Sequence, residues 1–583
     1  MARAAGIDLG TTNSVIAIIR PDGTPEVLTN AEGGRLTPSA VAFTADGETV
    51  VGDVARRQLG INPAETVLSV KRKMGTRERV HLGNEELLPE QVSAMILRKL
   101  VDDASATLGD KITKAVITVP AYFDDRQRTA TKRAGEIAGL EVLRIINEPT
   151  SAALAYGMDR RDTRNIVVYD LGGGTFDVSV LTVGNGLCEV QSTAGDTKLG
   201  GDDFDREIVN WILAEMKPKV DLSKDVVACG RILEAAERAK RELSSVSVAP
   251  INIPFIALGE FGPIHVDLKL SLAAFEEMIF PWIDRTLSRV EQAMIDANMG
   301  IEDIDEVLLV GGSTRVPAVR SALATRFGRT PSKSLNPDEV VAIGAAVNAG
   351  IIEGVVEGVV LADVTPLTLS VETKGGVANA MIRRNSTIPV TRKEIFSTAL
   401  DMQDSVPVHV VQGERPMAAE NRTLGRFSLE GILPAPAGVP KIEVSFDIDV
   451  DGILSVSAKD LATGLETSVI MNESDLDDET VQKMVEEAFT HAEEDRHRKK
   501  LIETRNGAEA IIAHARRMLR DNAERLDVEM TEEVEDAISG VEGLLDADNP
   551  GAIEQGGEEL KKVMMGVGER LYQSVEVKKA RGE

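Results

Sequence analysis

The stretch Ile166-Val-Val-Tyr-Asp-Leu-Gly-Gly-Gly-Thr175 decides the fold, because it runs from an apolar strand into a tight glycine turn. The stretch Gly6-Ile-Asp-Leu-Gly-Thr-Thr-Asn-Ser14 repeats this order near the start of the chain. In both stretches an aspartate, Asp8 or Asp170, ends the first strand, and an apolar strand follows the turn. Glycine lets backbone N–H groups close around phosphate oxygens, and an aspartate can hold a hydrated cation. Two such hairpins facing each other would clamp one nucleoside triphosphate, so the repeat predicts a two-lobed ATPase.

Composition and charge restrict the remaining function classes. The 583 residues correspond to about four domain-sized units, and a hydrophobic content of 43% supplies ample core. The formal charge of −29 argues against nucleic acid and anionic membranes as partners, because both require clustered Lys and Arg. Two cysteines, Cys188 and Cys229, cannot form a disulfide framework and fit a reducing compartment. The chain begins without a signal-peptide pattern and contains no apolar run long enough to span a bilayer, so we expect a cytoplasmic protein.

Residues 1–354 mix buried apolar runs with charged, alanine-rich stretches. One apolar run, 115–119, ends at Pro120, and a helical stretch follows at 126–138. This alternation predicts an α/β unit. Around 355–364, two glycines lie between charges ahead of an apolar patch. Two interpretations of this segment stay open, a linker that docks or an ordinary edge strand.

The pattern changes twice in the rest of the chain. Over 365–471, strict alternation of apolar and polar residues around Asp451-Gly452 predicts a β-hairpin within an antiparallel sheet. Over 472–583, apolar residues recur at helical spacing, first within 481–488 and last along a helix that Asn549 caps. The spacing predicts a small helical bundle whose apolar stripes pack against one another.

Phosphoryl transfer to water needs positioning and charge neutralisation more than covalent chemistry. The sequence has no Gly-x-x-x-x-Gly-Lys-Ser/Thr motif, so a P-loop fold is excluded. It supplies instead three glycine turns at strand ends, at 10–13, 172–175 and 311–314. Asp8 and Asp170 are candidate holders of Mg²⁺ through water, and Glu148 is a third carboxylate after an apolar run. Lys71 is one of many lysines that could reach the γ-phosphate.

Several stretches resemble the seventy-kilodalton heat-shock chaperone family, most closely bacterial DnaK. The family's three signatures are matched by 6–14, by Val168-Val-Tyr-Asp-Leu-Gly-Gly-Gly-Thr-Phe-Asp177 and by Leu308-Leu-Val-Gly-Gly-Ser-Thr-Arg-Val-Pro317. Ile146-Asn-Glu-Pro-Thr-Ser-Ala-Ala-Leu-Ala-Tyr156 and Val411-Gln-Gly-Glu-Arg415 fit as well. The resemblance runs in collinear order from residue 4 to the last predicted helix.

The resemblance implies a multidomain fold. It has an α/β actin-like two-lobed ATPase domain at 1–354, a linker at 355–364, an all-β sandwich that binds peptide at 365–471 and an α-helical lid bundle at 472–583. The implied function is an ATP-dependent chaperone of the heat-shock response, which binds extended apolar segments of unfolded proteins and changes affinity through ATP binding and hydrolysis. ATP, ADP, Mg²⁺ and K⁺ are the implied cofactors. Unfolded clients, a J-domain co-chaperone and a GrpE-type exchange factor are the implied partners, in a bacterial cytoplasm.

The resemblance also implies roles for individual residues. Lys71 would orient the attacking water, Thr175 would lie at the γ-phosphate and accept a slow autophosphorylation, and Asp170 and Asp177 would lie near the cations. The implied nucleotide contacts are Thr11, Thr12, Asn13, Gly173, Gly174, Glu237, Lys240, Arg241, Ser244, Gly311, Gly312, Arg315 and Asp338. The implied relay to the linker comprises Pro120, Arg128, Glu148, Leu361 and Asp363. The implied peptide-lining residues are Val371, Phe396, Ala399, Val406, Val408 and Ile442.

The sequence departs from the DnaK-like pattern at four positions. Ala362 stands in the linker where a leucine is usual, and Lys374 stands where an apolar residue arches over the peptide. Ala437 and Ala513 replace polar partners that latch the lid to the sandwich. Because an alanine side chain offers no hydrogen bond, these two changes predict weaker lid closure and fast peptide exchange.

Other interpretations stay open. A metabolite kinase of the same actin-like superfamily would share the hairpins, but its acceptor site would lie between the lobes and leave the β and helical regions without a role. A polymerising actin-like protein, or a reactivating factor without a peptide cleft, is a further alternative. A specialised iron–sulfur scaffold chaperone is a narrower one. Without the resemblance, we would interpret one further stretch as a charged helix exposed to solvent. Its residues Glu237, Lys240, Arg241 and Ser244 share one face.

Overall fold

The structure is a computed structural model, and it describes residues 3–44, 47–157, 161–259, 262–332, 334–356, 358–470, 492–523 and 525–581. The helical spacing noted within 481–488 lies outside these residues. Among the helices of the described ranges, none is both long and apolar enough to cross a membrane.

Up to residue 356, strands and helices alternate as predicted. The strands are β1 (Arg3–Asp8), β2 (Asn13–Ile19), β3 (Pro25–Val27), β4 (Thr37–Pro38), β5 (Val41–Phe43), β6 (Thr49–Val51), β7 (Thr66–Val67), β8 (Val80–Leu82), β9 (Glu85–Leu87), β10 (Ile112–Val119), β11 (Glu141–Asn147), β12 (Arg164–Leu171), β13 (Phe176–Gly184), β14 (Leu187–Asp196), β15 (Val248–Gly259), β16 (Gly262–Ser271) and β17 (Glu306–Val310). The helices are α1 (Asp53–Arg57), α2 (Pro89–Leu108), α3 (Asp125–Ile137), α4 (Glu148–Gly157), α5 (Gly201–Met216), α6 (Val226–Leu243), α7 (Leu272–Asp296), α8 (Pro317–Phe327) and α9 (Val340–Ile352). Short 3-10 helices occupy Gln58–Gly60, Pro63–Glu65, Val70–Lys73, Ile301–Asp303 and Gly312–Arg315.

The two glycine hairpins form equivalent parts of two separate sheets. The first sheet has the order β11-β10-β1-β2-β3, and the second begins β17-β12-β13-β14. In each sheet an antiparallel hairpin, β1 with β2 or β12 with β13, is flanked by a parallel strand. The register pairs Asp8 with Val15 and Asp170 with Asp177. Both glycine turns therefore lie at the same end of equivalent hairpins.

Helix α9 joins the two sheets. Its residues Ala342 and Ala346 pack against Val15 and Ala17 of the first sheet, while Ala345 packs with the core of the second. Gly6 allows this approach, because a Cβ at that position would overlap the backbone of α9. The helix therefore holds the two hairpins at a fixed separation.

The segment beyond residue 358 continues as strand β18 (Val360–Val364). Strand β18 pairs in parallel with β14, with Leu361 opposite Cys188. It also pairs with β21 (Thr387–Ile388), through Asp363 and Val364. The segment is thus an inner strand, paired with β14 of the α/β region on one side and with β21 of the β region on the other. The interpretation as an ordinary edge strand is therefore wrong, and its role as a linker that docks stays a prediction.

All the remaining strands lie between 369 and 470. They are β19 (Leu369–Thr373), β20 (Val377–Ile382), β22 (Val390–Phe396), β23 (Ser405–Gln412), β24 (Arg422–Glu430), β25 (Ile442–Ile448), β26 (Leu454–Asp460) and β27 (Glu466–Ile470), with a 3-10 helix at Ala418–Glu420. They form two four-stranded sheets, β20-β19-β23-β24 and β22-β25-β26-β27, around one apolar core. The hairpin predicted around Asp451-Gly452 is confirmed, since Ile448 pairs with Leu454.

Among the described residues beyond 470, helices lie at Ala492–Asp521, Val528–Glu542 and Pro550–Arg581, and we call these three the C-terminal helices. The predicted cap is confirmed, because Asn549 Oδ1 accepts a hydrogen bond from the Ala552 N–H at 3.2 Å. The apolar stripe predicted along the last helix contributes Leu560 to one cluster with Val534 and Ile538. The helices are therefore held together by an apolar core of their own.

Candidate functional site

A cavity of about 320 Å³ lies where the two glycine hairpins face each other. Nearly all the catalytic and nucleotide-contact residues expected from the sequence line it. They are Asp8, Thr11, Thr12, Asn13, Lys71, Glu148, Asp170, Gly173, Thr175, Glu237, Lys240, Arg241, Ser244, Gly311, Gly312, Arg315 and Asp338. Gly174 and Asp177 are not among the lining residues. The fold therefore collects residues from seven separate stretches of the chain around one space.

The two glycine turns approach each other without room for side chains. A Cβ on Gly173 would overlap the Thr12 hydroxyl, and a Cβ on Gly174 would lie 2.7 Å from the Thr11 methyl. Arg72 Nε also donates to the Gly174 carbonyl at 3.0 Å, so Gly174 lies behind the cavity wall. Glycine is required at these positions because the two turns lie so close together, rather than because the backbone angles are unusual. The absence of side chains leaves the backbone groups of the turns facing the cavity.

Buried carboxylates gather at the floor of the cavity. Asp8 accepts from Thr118 Oγ1 at 3.2 Å, and burial, together with the charge of Glu148, raises the pKa of Asp8 to about 7. Burial and the same negative charge raise the pKa of Asp170 well above its usual range. Lys71 Nζ forms a buried ion pair with Glu148. One lysine thus faces several carboxylates, so the floor favours a cation.

The donor chemistry of this floor fits Mg²⁺. Hard carboxylate oxygens suit the ion, which retains much of its own water shell. Within the described part of the chain, no three His, Cys, Asp or Glu side chains form a set that could hold a metal directly. That Asp8 and Asp170 hold the ion through water stays a prediction.

Asp177 lies on β13 opposite Asp170, in the layer behind the cavity. It is buried, and its Oδ1 accepts from the Tyr122 N–H at 3.1 Å. Burial, followed by the charge of Glu148, raises the pKa of Asp177 to about 8. Its expected place near the cations stays a prediction.

Helix α6 forms the wall opposite the floor. Lys240 Nζ donates to Asp205 Oδ2 at 2.6 Å and to the Gly201 carbonyl at 2.9 Å. Glu237 forms an ion pair with Arg56 of α1, in the first half of the chain. Glu237, Lys240 and Arg241 of α6, and Ser244 at its end, therefore line the cavity, and Arg241 is also exposed to solvent. On the neighbouring wall, Arg315 is paired with Asp338.

Arg128 links this cavity to the β region. It is 4% exposed, and its guanidinium donates to the Phe123 and Ala121 carbonyls at 3.1 and 3.2 Å and to Asn147 Oδ1 at 2.6 Å. Asn147 directly precedes Glu148, the partner of Lys71. Pro120, expected in the same relay, is buried at the end of β10.

Strand β18 contacts the same group of residues. Asp363 Oδ2 accepts from Thr150 Oγ1 at 3.1 Å, and burial raises the pKa of Asp363 above its usual range. Leu361 packs against the apolar core of the second sheet. Of the five expected relay residues, Glu148 lines the cavity, Arg128 bonds to Asn147 beside it, Pro120 follows β10, and Leu361 and Asp363 belong to β18.

Sequence reasoning missed the residue that joins the β region to the α/β region most extensively. Asp451 accepts from Lys132 Nζ at 2.6 Å and from the Ile145 N–H at 3.1 Å, and its carbonyl accepts from Arg128 at 3.3 Å. In the sequence, Asp451 was recognisable only as half of an Asp-Gly turn. Nothing local to that turn indicates that it faces another part of the chain.

Further contacts surround Asp451. The Leu454 N–H donates to Asp125 Oδ1 at 3.0 Å, and Arg422 is ion-paired with Asp124. At a separate place, Asp296 accepts from Arg384 at 2.7 Å and from Asn385 at 3.3 Å. The β region is thus held against the α/β region by polar contacts on both sides of β18.

The expected peptide-lining residues divide into three groups. Val371, Val408 and Ile442 are buried in the core between the two four-stranded sheets. Phe396 and Val406 are partly buried against that core. Ala399 is exposed on the segment between β22 and β23. The first five therefore share one apolar cluster, and Ala399 lies at its edge.

The positions where the sequence departs from its relatives also have defined surroundings. The Ala437 N–H donates to Asp401 Oδ1 at 2.8 Å, and Ala513 is exposed on the first C-terminal helix. Lys374, on the turn after β19, forms an ion pair with Glu509 of that helix. A polar contact therefore joins the C-terminal helices to the β region at a position that the sequence did not indicate.

A family model described as Hsp70 protein matches residues 4–573, nearly the whole chain.

Proposed function

The chain belongs to the Hsp70 family and is therefore an ATP-dependent chaperone with ATPase activity, and we propose that ATP controls its affinity for extended apolar peptides. The observation that carries this proposal is the series of contacts from the cavity, through Glu148, Asn147 and Arg128, to Asp451. Thr150, on the same helix as Glu148, also donates to Asp363 of β18. A nucleotide-dependent change at one end of this path would alter how the β region is held at the other.

We assign the residues of the cavity to ATP hydrolysis. Thr11, Thr12 and Asn13, with the facing glycine turn, would hold the phosphates. Lys71 would orient the attacking water, and Glu148 would keep its ammonium in position through their buried ion pair. Bound Mg²⁺ would neutralise phosphate charge, and a K⁺ ion would add to this effect. Thr175, at the same end, would accept the phosphoryl group in autophosphorylation.

The adenosine would lie between α6 and the turn that follows β17. Glu237, Lys240 and Arg241 would contact the ribose and base from one side. Arg315 would stack on the base from the other, with Asp338 fixing its guanidinium. Arg56 of the first half of the chain is ion-paired with Glu237 of the cavity wall. Nucleotide exchange would require this ion pair to open, and an exchange factor of the GrpE type would favour the open form.

We further propose that three regions of the chain have different functions. The α/β part at 1–354 hydrolyses ATP, the sandwich at 365–471 binds peptide over the cluster of Val371, Phe396, Val406, Val408 and Ile442, and the helical part at 472–583 covers it. In this proposal, a J-domain partner and unfolded client proteins take part in the ATP-driven cycle of peptide binding and release in a bacterial cytoplasm. We also propose that the chain is most similar to DnaK within the family. An apolar side chain buried in such a cleft gains about 2–3 kcal/mol, which suits reversible capture.

A fluorescent apolar peptide tests this function in the full-length protein. We expect fluorescence anisotropy to rise when the peptide binds in the presence of ADP and to fall rapidly when ATP is added. A peptide that does not bind, or that ATP leaves bound, would refute the proposal. Light scattering that rises with ATP would instead support the filament alternative, and ATP consumption that requires a small-molecule acceptor would support a kinase.

A further inference from the structure

A second cavity, of about 400 Å³, lies next to the nucleotide cavity. Residues of β17, of the turn that follows it, of helix α8 and of the segment 330–337 form its walls. Arg315 and Pro337 line both cavities, so they form a shared wall. A ligand in the second cavity would therefore contact the same arginine that we propose to stack on the base.

Local structure fixes the shape of this second cavity. Arg320 and Ala324 are four residues apart on α8, so they share one face of the helix. The helix ends at Gly328, whose φ of 63° turns the chain back. The Ser332 N–H then donates to the Val307 carbonyl at 2.8 Å, which ties the returning segment to β17. The fold therefore forms the cavity without help from a ligand.

The charged side chains that line the second cavity have one sign. Arg315 and Arg320 belong to its walls, and none of its described lining residues is acidic. This contrasts with a chain that carries 94 Asp and Glu against 65 Lys and Arg. Ser321, Thr330 and Ser332 add hydroxyls, which can donate hydrogen bonds. The cavity therefore favours an anion.

The guanidinium of Arg320 is anchored on one side and available on the other. Its Nε donates to the Thr314 carbonyl at 3.0 Å, which holds the side chain against the turn that carries Arg315. Within the part of the chain that the structure describes, its two terminal nitrogens have no hydrogen-bond partner. Arg315, by contrast, is already paired with Asp338. One unpaired guanidinium matches the two oxygens of a single carboxylate.

We propose that the second cavity binds a small monocarboxylate with an apolar body, and that the bound carboxylate weakens nucleotide binding through Arg315. Arg320 would hold the carboxylate, while Leu309 and Leu335 would contact the body. A volume of this size suits a small molecule. The carboxylate would also compete with Asp338 for Arg315 and draw that guanidinium away from the base. This last step rests on the proposed function, because it requires adenosine to lie against Arg315.

The site is tested by fluorine NMR of para-trifluoromethylbenzoate with the full-length protein. The corresponding benzamide is the comparison compound, since it has the same body without the charge. Arg320→Gln should weaken benzoate binding about tenfold or more. Ala324→Leu should also weaken it, because the larger side chain fills the cavity. Arg326→Gln is the matched control, since Arg326 lies on the same helix but pairs with Glu291 at 3.5 Å and does not line the cavity.

Three results would overturn the site. The first is benzoate that does not bind saturably. The second is benzoate that binds Arg320→Gln as tightly as the unaltered protein. The third is benzamide that binds as tightly as benzoate, because the cavity would then not select an anion.

A second measurement tests the effect on the nucleotide. The affinity for fluorescent ADP should fall about fivefold when the benzoate saturates the protein, and the benzamide should have no effect. By linkage, saturating ADP should weaken benzoate binding by the same factor. An unchanged ADP affinity would overturn the effect on the nucleotide, while ATP-dependent peptide release would still support the proposed function. If the unaltered protein does not bind ADP, that effect and the proposed function both fail, and benzoate binding still decides the site.

Discussion

Replacing Asp451 tests whether the β region communicates with the nucleotide cavity through its contact with the α/β region. Asp451 is 6% exposed, and its carboxylate accepts from the Lys132 ammonium and from the backbone N–H of Ile145. Asp451→Asn removes the negative charge but keeps an oxygen for the Ile145 N–H. Asp451→Ala removes both acceptors. The two variants therefore separate the ion pair from the buried backbone hydrogen bond.

The magnitudes follow from the two contacts. A hydrogen bond to a charged group contributes about 1.5–3 kcal/mol, and the Lys132 side chain, 31% exposed, recovers part of this by hydration. We therefore expect Asp451→Asn to cost about 1–2 kcal/mol of docking free energy, or about 5- to 30-fold in the docking equilibrium. Asp451→Ala also leaves the Ile145 N–H without its acceptor, which adds about 1–3 kcal/mol.

Two measurements on the full-length protein would detect the change. Small-angle scattering with ATP should show a larger radius of gyration as the β region separates, more so for alanine than for asparagine. The rate at which ATP releases a bound fluorescent peptide should fall in the same order. Asp447→Asn is the control, because Asp447 lies on the same hairpin but is exposed and bonds only within the β region, to Thr391 at 2.6 Å.

The result that would refute the reasoning is a normal radius of gyration and normal peptide release in Asp451→Ala. That outcome would mean that the contact does not contribute to docking. A larger radius of gyration together with slower peptide release in the Asp447→Asn control would also contradict it, since general damage to the hairpin would then explain the effect.

Lys71→Ala should leave ATP affinity within several-fold but reduce single-turnover hydrolysis by about 100-fold or more, because the water-positioning group is lost; normal hydrolysis would remove Lys71 from the chemistry. Thr175→Ala should abolish autophosphorylation, followed with radiolabelled ATP, while ATP binding persists. Leu361→Asp places a charge against the core of the second sheet, so docking of β18 would require its desolvation. ATP binding and peptide binding should survive this change, and ATP-induced release should vanish; continued release would make β18 a passive connection. Burial raises the pKa of Asp125 from 3.8 to about 7. Protonated Asp125 therefore favours docking of the β region on the α/β region at low pH, and this stabilisation is lost as the pH rises towards 7. Asp125→Asn keeps an oxygen for the Leu454 N–H without the charge, so scattering should show firmer docking at pH above 7 and a weaker pH dependence than in the unaltered protein.

Several features of the fold were predictable because they are encoded within a few residues. Each of these features combines a turn or capping residue with an apolar pattern of fixed period. They are the glycine hairpins at Asp8 and Asp170, the Asp451-Gly452 turn and the Asn549 cap. Backbone sterics and local hydrogen bonding favour these structures whatever surrounds them. The resemblance to a known family then allowed most of the cavity lining to be named from the sequence.

The sequence by itself determined the residue types, the order of strands and helices, and the two turns suited to phosphate. Only the tertiary structure decided which of these residues meet: Lys71 pairs with Glu148, 77 positions away, and Asp451 reaches Lys132 across 319 positions. It also set Asp177 behind the cavity and brought Lys374 to Glu509. The physical reason is that periodicity and turn propensity act over a few residues, whereas these contacts depend on how whole sheets and helices pack. Burial within that packing also raises the pKa values of Asp8 and Asp125, which no local pattern encodes.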